Sequence, residues 1–108
     1  VVMERLTNSE MEIMRVVWCN GGEIAETELR KELHTKKGEV YARTTLATFL
    51  MKIEQKQYIR KERRGRNSYV IALYTADAYV EQQLGELFTD FCQKDKERFS
   101  KLVERVLA

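Results

Sequence analysis

Basic side chains that could bind a polyanion are concentrated in the middle of the chain. Residues 30–66 carry twelve Lys and Arg against four Glu, a net charge of +8, whereas residues 1–29 carry −4 and residues 67–108 carry −2. The overall charge of +2 hides this excess. A basic segment between acidic flanks is typical of a nucleic-acid-binding surface. A solvated surface, whose Lys and Arg only neutralise neighbouring acids, is the alternative that charge alone leaves open.

Side chains that could perform catalysis or hold a metal are few. His34 is the single histidine, and we expect it at the end of the second helix, where the helix dipole favours its charged form. Cys19 and Cys92 are too far apart for a local zinc motif, and we expect both to be buried small hydrophobic residues. The chain has no Gly-rich phosphate loop and no H-E-x-x-H motif. We therefore predict no enzyme, no metal site and no cofactor.

The composition indicates one small helix-rich protein. The chain has 108 residues, of which 44% are hydrophobic and none is proline. This length suits a single core, and the absence of proline favours helices over a loop-rich all-β fold. No segment approaches the roughly 18 consecutive apolar residues of a membrane span, and two lone cysteines indicate a reducing compartment. We expect a cytoplasmic protein with no membrane partner.

The first helix has clear start and stop signals. Thr7 followed three residues later by Glu10 predicts a capping box, in which each side chain accepts the other residue's backbone N–H. Apolar residues follow at helical spacing, from Met11 to Trp18. Gly21-Gly22 predicts the end of this helix, since glycine readily adopts the left-handed conformation of a helix terminus.

A short second helix is expected next. Ile24 opens this element, and Ala25 occupies its cap position. Leu29 and Leu33, four residues apart, mark its buried face. Thr35–Glu39, with two Lys and one Gly, reads as the loop that follows.

The third helix, predicted over residues 42–56, has an unusual polar face. Leu46, Phe49, Leu50 and Ile53 form its apolar stripe at i, i+3, i+4 and i+7. The opposite side is rich in hydroxyl and basic groups, as suits insertion into a DNA groove. An ordinary surface helix is the alternative, but it explains the threonines poorly, because they are mediocre helix formers. The side chains of this polar face are Thr44, Thr48, Met51, Lys52 and Gln55, with Arg43, Thr45 and Ala47 at its margins.

A basic hairpin follows the third helix. Two β-prone runs, Tyr58–Arg63 and Ser68–Tyr74, flank a Gly-containing turn of about four residues. Like charges crowded into a turn repel one another unless a partner neutralises them, and phosphate would do so. Three helices followed by a basic hairpin predict a mainly α protein with a winged helix-turn-helix. Its wing contacts to DNA are assigned to Arg63, Arg64, Arg66 and Asn67.

Two further helices carry more apolar surface than a winged domain can cover from one side. Thr75 caps the fourth helix, and the polar residues Gln93–Asp95 separate it from the fifth. Exposed stripes of this size indicate a partner, and a second copy of the chain is the commonest one. Folding of both helices back onto their own winged domain is the alternative. We therefore divide the chain into a DNA-binding domain (1–74) and a helical dimerisation region (75–108). The dimerisation residues are Val80, Leu84, Leu87, Phe88, Phe91, Phe99, Leu102, Val103 and Val106.

Two stretches carry a family resemblance over nearly the whole chain. They are LTNSEMEIM (residues 6–14), running to Val17-Trp18, and RTTLATFL (residues 43–50), continuing through Lys52-Ile53 and Lys56 into Tyr58-Ile59. With Arg63–Arg66 and Tyr69 at the wing, the chain resembles the penicillinase-repressor family of bacterial winged-helix regulators. That family also contains the methicillin-resistance and copper-transport repressors.

The resemblance implies a homodimeric transcriptional repressor on a double-stranded, inverted-repeat operator. It places Arg43, Thr44, Thr45 and Thr48 at or near the groove and Arg64 and Arg66 on the backbone. It also implies release of DNA on an inducing signal, by a protease or otherwise. The family often has Gly where this chain has Gln57. This chain lacks the paired cysteines of the copper-sensing branch, so we expect no copper switch.

Two other functions remain open on the sequence. One is a winged-helix module that binds an acidic protein partner through the basic face. The other is a regulator that binds a small molecule between its helices, although a chain this short leaves little room for a pocket. Salt-sensitive binding to DNA would separate the repressor from the protein-binding module.

Overall fold

The computed structural model of the chain describes residues 4–37 and 42–108. By internal contacts the chain divides into two compact units, Val1–Ala76 and Asp77–Ala108. The elements of the first unit, in order, are α1 (Asn8–Cys19), β1 (Glu23–Ala25), α2 (Glu26–Lys37), α3 (Arg43–Gln55), β2 (Ile59–Arg64) and β3 (Asn67–Ala72). The remaining elements are α4 (Ala76–Glu86), a π-helical turn (Leu87–Phe91) and α5 (Lys96–Leu107).

Helix α1 begins and ends as its sequence predicts. The Thr7 hydroxyl accepts the backbone N–H of Glu10 at 3.3 Å, and the Glu10 carboxylate accepts the backbone N–H of Thr7 at 2.8 Å. At the other end Gly21 has φ of +79°, and the N–H of Gly22 reaches back to the carbonyl of Val17 at 3.1 Å. This bond spans five residues, and with the bond from the N–H of Gly21 to the carbonyl of Trp18 at 3.2 Å it forms a Schellman motif. The capping box and the glycine stop are both confirmed.

The short strand β1 was not foreseen, since Ile24 was expected to open the second helix. Ile24 is buried and pairs with Val70 of β3 in an antiparallel register. Three residues are too few to show a period-two pattern, so only the pairing with β3 reveals the strand. Helix α2 starts directly after Ala25 and extends through Lys37. The predicted loop is therefore wrong for residues 35–37, and its last two residues lie outside the described part of the chain.

The wing is part of a three-stranded antiparallel sheet with strand order β1-β3-β2. Strands β2 and β3 pair from Ile59 with Ala72 to Arg64 with Asn67. The hairpin turn is therefore Gly65-Arg66, two residues and not about four, with Gly65 at φ of +63°. Arg64 and Asn67, assigned to the turn from sequence, are the terminal residues of the strands. The winged helix-turn-helix is confirmed, with β1 as an added third strand.

The core of the first unit lies where α1, α2 and α3 meet the inner face of the sheet. The apolar stripes predicted for α2 and α3 are buried, except that Phe49 is half-buried. Tyr58, in the segment between α3 and β2, is 1% exposed. Among the described residues of the first unit, the buried apolar side chains are Leu6, Ile13, Met14, Val16, Val17, Ile24, Leu29, Leu33, Leu46, Leu50, Ile53, Tyr58, Ile59 and Val70.

The C-terminal unit departs from the single regular fourth helix that the sequence suggests. Its stripe was expected to run at α-helical spacing to Phe91, but Leu87–Phe91 forms a π-helical turn. The N–H of Cys92 bonds the carbonyl of Leu87, five residues back, at 3.1 Å. One extra residue per turn shifts the side chains that follow around the axis. Asp95 then caps α5 by accepting the N–H of Arg98 at 3.1 Å.

The two cysteines differ in burial. Cys92 is 5% exposed, as expected. Cys19, the last residue of α1, is exposed, and the expectation that it is buried is wrong. Cys19 follows the buried Val17 by two residues, about 200° around the helix, so it lies on the opposite side of α1. Within the described residues, every helix is too short or too polar to cross a membrane.

Candidate nucleic-acid interface

Helix α3 presents its polar face to solvent. Arg43, Thr44, Thr45, Thr48 and Lys52, the residues assigned to DNA from sequence, are all exposed. The side chain of Met51 on the same face is 50% exposed. This face therefore offers hydroxyl, methyl, thioether and cationic groups without a covering element in the described first unit.

Two of the threonines are linked to each other. The Thr48 hydroxyl donates to the carbonyl of Thr44, four residues back, at 3.0 Å. Its hydrogen is therefore used within the helix, and its methyl group and oxygen lone pairs remain for a ligand. A thymine methyl or a base amino group would match this surface.

The N-terminus of α3 is electrostatically positive. Its cap residue is Ala42, which has no side chain to accept the free N–H groups, and its first turn contains no acidic residue. Arg43 instead adds a positive charge to the positive end of the helix dipole. These features lower the stability of the helix N-terminus in the absence of a ligand, and an anionic ligand bound there would stabilise it.

The C-terminus of α3 fixes how the helix turns into the wing. The N–H of Gln57 bonds the carbonyl of Glu54 at 2.9 Å, and that of Tyr58 bonds the carbonyl of Ile53 at 3.3 Å. This is a Schellman motif, and its left-handed residue is Gln57, with φ of +66°. The position where the resembled family often has Gly therefore demands a glycine-like conformation here too.

Helix α3 is also tied to the N-terminal segment. The Lys56 ammonium lies 2.6 Å from Oε1 of Glu10 and donates to the carbonyl of Arg5 at 2.9 Å. The Tyr58 hydroxyl donates to the carbonyl of Glu4 at 2.6 Å. These bonds fix the end of α3 against the start of α1, a link that the sequence pattern does not indicate.

The Glu10 carboxylate serves both the capping box and this ion pair, although it is 1% exposed. Burial raises its pKa. The hydrogen bonds from Lys56 and Thr7, with the charge of Lys56, outweigh burial and hold the pKa below the usual 4.5. Glu10 is thus a buried carboxylate that stays ionised because its partner is in place.

The wing arginines divide into two kinds. Arg64 donates to Glu23 at 2.5 Å and to Glu62 at 2.8 Å, and its guanidinium lies 4.5 Å from the centre of the Tyr69 ring. The two carboxylates raise the pKa of Arg64 above its ordinary value. Arg63 has a 3.4 Å contact to the carbonyl of Gly65. Arg64 therefore joins β1 to the wing, a role that the sequence did not suggest.

A cleft lies where α2, α3 and the wing tip converge. It has a volume of about 180 Å³ and is lined by eight residues, of which three are arginines: Glu26, Thr27, Arg30, Arg43, Leu46, Arg66, Asn67 and Ser68. Arg43, Arg66 and Asn67 were assigned to DNA from sequence, and the fold brings them together. Arg30 was not assigned to DNA from sequence, because it lies on α2. Its position three residues after Thr27, on the same face of that helix, is the sequence pattern that could have indicated it.

The C-terminal unit has a long apolar face. Val80, Leu84, Leu87 and Phe91 are 42–65% exposed. The Phe88 and Phe99 rings pack edge to face, 5.2 Å apart, and are half-buried. A groove of about 400 Å³ runs along this face. Its lining is Leu84, Leu87, Phe91, Cys92, Phe99, Leu102, Val103, Val106 and Leu107.

The described residues contain no group of three or more His, Cys, Asp or Glu side chains placed to hold a metal ion. His34 is exposed on α2, three residues before its last residue.

The comparisons with known proteins agree with this geometry. The penicillinase repressor family model matches residues 6–107, whereas no curated protein sequence matches significantly. The solution structure of the DNA-binding domain of the repressor BlaI is similar, at 22% identity and a TM-score of 0.59, covering 71% of this chain and 90% of that one. F93 from STIV, a winged-helix DNA-binding protein, is 17% identical with a TM-score of 0.57, over 81% and 95% of the two chains.

A third similar structure is a complex structure of hsRosR-S1, at 18% identity and a TM-score of 0.58, covering 94% of this chain and 92% of that one. At these identities the three structures show a shared fold. The family match spans almost the whole chain and includes both stretches that carry the resemblance. The chain belongs to the penicillinase repressor family of winged-helix DNA-binding transcriptional regulators.

Proposed function

We propose that two copies of this chain repress transcription by binding an inverted-repeat DNA operator, each with α3 in the major groove and the wing along the backbone. The observation that carries the proposal is the exposed hydroxyl-rich face of α3 beside an arginine-lined cleft. An α-helix, about 10–12 Å in diameter, fits the width of the major groove, and α3 has one clear polar face to present there.

On this proposal the face of α3 reads bases and the basic tip holds phosphates. Thr44, Thr48 and Met51 supply methyl, hydroxyl-oxygen and thioether groups suited to base edges, and Lys52 supplies a cation. Arg63, Arg66 and Asn67 lie at the wing tip, where the sugar-phosphate backbone would pass. Phosphate contacts set affinity and position, whereas base contacts set sequence preference.

Replacing Thr48 by serine tests the reading role of α3. Serine keeps the hydroxyl that bonds Thr44 but removes the methyl group, so we expect a loss of about 1 kcal/mol for the preferred sequence and little change for random DNA. The measurement is fluorescence anisotropy with a duplex from upstream of the coding region and a random duplex of equal length. Thr7→Ser, away from this face, is the matched control. Equal losses on both duplexes would contradict base reading by Thr48.

Salt dependence separates this proposal from a protein-binding module. The wild-type affinity for DNA should fall linearly with salt on a logarithmic scale, because phosphate contacts release bound cations. Binding that is absent, or that does not change between 50 and 200 mM salt, would favour the acidic-protein alternative.

The dimer is proposed from the C-terminal unit. This unit has 32 residues, of which Cys92 is the one buried apolar residue, so it leaves its groove and stripe uncovered. An apolar face of this extent on so small a unit is typical of an interface, and a two-fold homodimer is the commonest assembly. Two-fold symmetry would also place two α3 helices on half-sites about one helical turn, or a multiple of it, apart.

Replacing both Leu84 and Leu87 by glutamine tests the interface. Both side chains line the groove and are nearly half exposed, so their loss should break the dimer without unfolding the chain. We expect a monomer by sedimentation and operator binding weaker by at least about a hundredfold, because avidity is lost.

Leu73→Gln is the control for these substitutions. Leu73 is 48% exposed and belongs to the first unit, so this variant should remain dimeric. A Leu84/Leu87 variant that also remains dimeric would show that the stripes face elsewhere, including the chain's own winged unit. An inducing signal, a protease or another, would release DNA by separating the two copies, since each copy alone reads half a site.

A further inference from the structure

We propose that the cleft between α2, α3 and the wing tip, defined by Arg30, Arg43 and Arg66, binds one phosphoryl group of the DNA backbone, with Arg30 as its innermost contact. The inference rests on the proposed function and adds a binding residue on α2 to a surface so far assigned to α3 and the wing.

The three guanidinium groups of the cleft are available to a ligand. None of them has a carboxylate partner among the described residues. Arg64, only two residues from Arg66, is instead held by Glu23 and Glu62. The fold therefore neutralises one wing arginine with protein carboxylates and leaves the cleft arginines for another anion.

The single acid of the cleft does not cancel its charge. Glu26 lies 3.7 Å from the ammonium of Lys61 and is thus already paired. The remaining polar groups are the Thr27 and Ser68 side chains and the amide of Asn67, which can donate hydrogen bonds to phosphate oxygens. Planar guanidinium groups match phosphate in a bidentate manner, so the donors and the charge both suit this ligand.

The size of the cleft limits what can occupy it. A volume of about 180 Å³ is below the roughly 300–1,000 Å³ of sites for drug-sized ligands. A single tetrahedral anion fits, whereas a whole nucleotide does not. Arg30 is half-buried, whereas Arg43 and Arg66 are exposed, so the Arg30 side chain is the most enclosed of the three, and we place it as the innermost donor.

Replacing Arg30 by glutamine tests the assignment. We measure binding of the full chain to labelled upstream and random duplexes of equal length while the potassium chloride concentration is varied. The slope of log affinity against log salt should fall by about 0.9 for each bound copy. If that contact contributes nothing at about 1 M salt, this change in slope corresponds to a DNA affinity lower by about fivefold per copy at 0.15 M salt. Both duplexes should lose the same factor, since a phosphate contact carries no sequence information.

Lys31→Gln is the matched control. Lys31 is the next residue of α2, is exposed, carries an ion pair with Glu28 and does not line the cleft. It removes the same charge from the same helix and should keep the wild-type slope. Arg66→Gln, at an exposed turn position, is a second cleft variant that does not depend on how α2 tolerates the substitution. It should reduce the slope as Arg30→Gln does.

Inorganic phosphate distinguishes the two sources of the anion. In the absence of DNA and at constant ionic strength, phosphate should shift the Nε resonances of Arg30 and Arg66 weakly, at millimolar concentrations. Micromolar phosphate binding, together with a wild-type DNA slope in Arg30→Gln, would overturn the proposal and make the cleft a site for a free phosphate.

An Arg30→Gln slope equal to that of the wild type, in a folded variant, also overturns it. Absence of salt-dependent binding by the wild type would instead contradict the proposed function itself. The two failures are therefore distinguishable within one titration series.

Discussion

Replacing Lys56 by methionine would remove the charge that ties the end of α3 to the start of α1. Methionine keeps most of the apolar length of lysine but has no ammonium to bond Glu10 at 2.6 Å or the Arg5 carbonyl at 2.9 Å. The Glu10 carboxylate would keep the bond from the Thr7 backbone N–H. It would lose its counter-charge while remaining almost fully buried.

The magnitude follows from this burial. Leaving one partner of a fully buried ion pair alone costs about 3–5 kcal/mol. The Lys56 side chain is 21% exposed, so water screens part of the interaction, and we expect a loss of about 2–3 kcal/mol at pH 7. Glu10→Gln keeps an oxygen for the Thr7 N–H and should cost less, about 1 kcal/mol. The double variant should lose less than the sum, by at least about 1 kcal/mol, because it leaves no charge buried alone.

The pH dependence gives an independent check. In the wild type the folded pKa of Glu10 lies below its usual 4.5. The contribution of the ion pair is therefore complete above about pH 4.5 and is lost as the pH falls through the folded pKa. In Lys56→Met, burial acts on Glu10 without the ammonium, so the pKa of Glu10 should rise. Protonation of Glu10 at low pH should then remove the cost of a buried, unpaired charge. The difference in stability between the two proteins should therefore narrow from pH 7 to pH 3.

Urea unfolding followed by the fluorescence of Trp18 measures this difference. Trp18 is the single tryptophan of the chain and belongs to the first unit. Lys52→Met, an exposed lysine on the same helix, is the matched control and should change stability by less than about 0.5 kcal/mol. A Lys56→Met loss as small as that of the control, or a difference that stays constant from pH 7 to pH 3, would refute the reasoning.

Three further predictions concern the turns and edges of the first unit. Gln57→Gly should increase the free energy of unfolding by about 0.5–1 kcal/mol and raise the urea midpoint, because the left-handed conformation costs residues other than glycine about 1–2 kcal/mol and glycine's extra chain entropy offsets part of this gain. An unchanged midpoint would contradict backbone strain at Gln57, whose φ is +66°. Trp18→Phe loses the 2.8 Å bond to the Tyr74 carbonyl and should cost about 1–2 kcal/mol by calorimetry; a neutral result would mean that water replaces the bond. Arg64→Gln should reduce the salt slope of DNA binding by less than half as much as Arg66→Gln and speed amide exchange in β1; equal slope changes would show that both arginines contact phosphate.

Local features could be predicted from the sequence because neighbours in the chain create them. The capping box needs only Thr7 and Glu10, three residues apart. The apolar stripe of α3 and its polar face follow from one helical period over 13 residues. The basic middle of the chain is a matter of composition. Together these patterns indicate a winged helix-turn-helix without reference to any contact between distant residues.

The partners of individual side chains could not be predicted in this way. Glu10 reads as a capping residue on the surface, yet 46 residues separate it from the lysine that lets it stay ionised in the core. Arg64 reads as a phosphate contact, but Glu23, 41 residues away, already binds it. The three-residue strand β1 exists because β3 pairs with it.

The sequence alone therefore determined the order of the helices, the wing, the charged surface and the family resemblance. Only the tertiary structure decided which charges are paired within the described part of the protein and which are left for a ligand. Helical periodicity and capping act over one or two helical turns, where the separation of two residues along the sequence fixes their separation in space. An ion pair or a cleft depends on positions that are brought together only after the chain has folded, and a pattern along the sequence does not contain that distance.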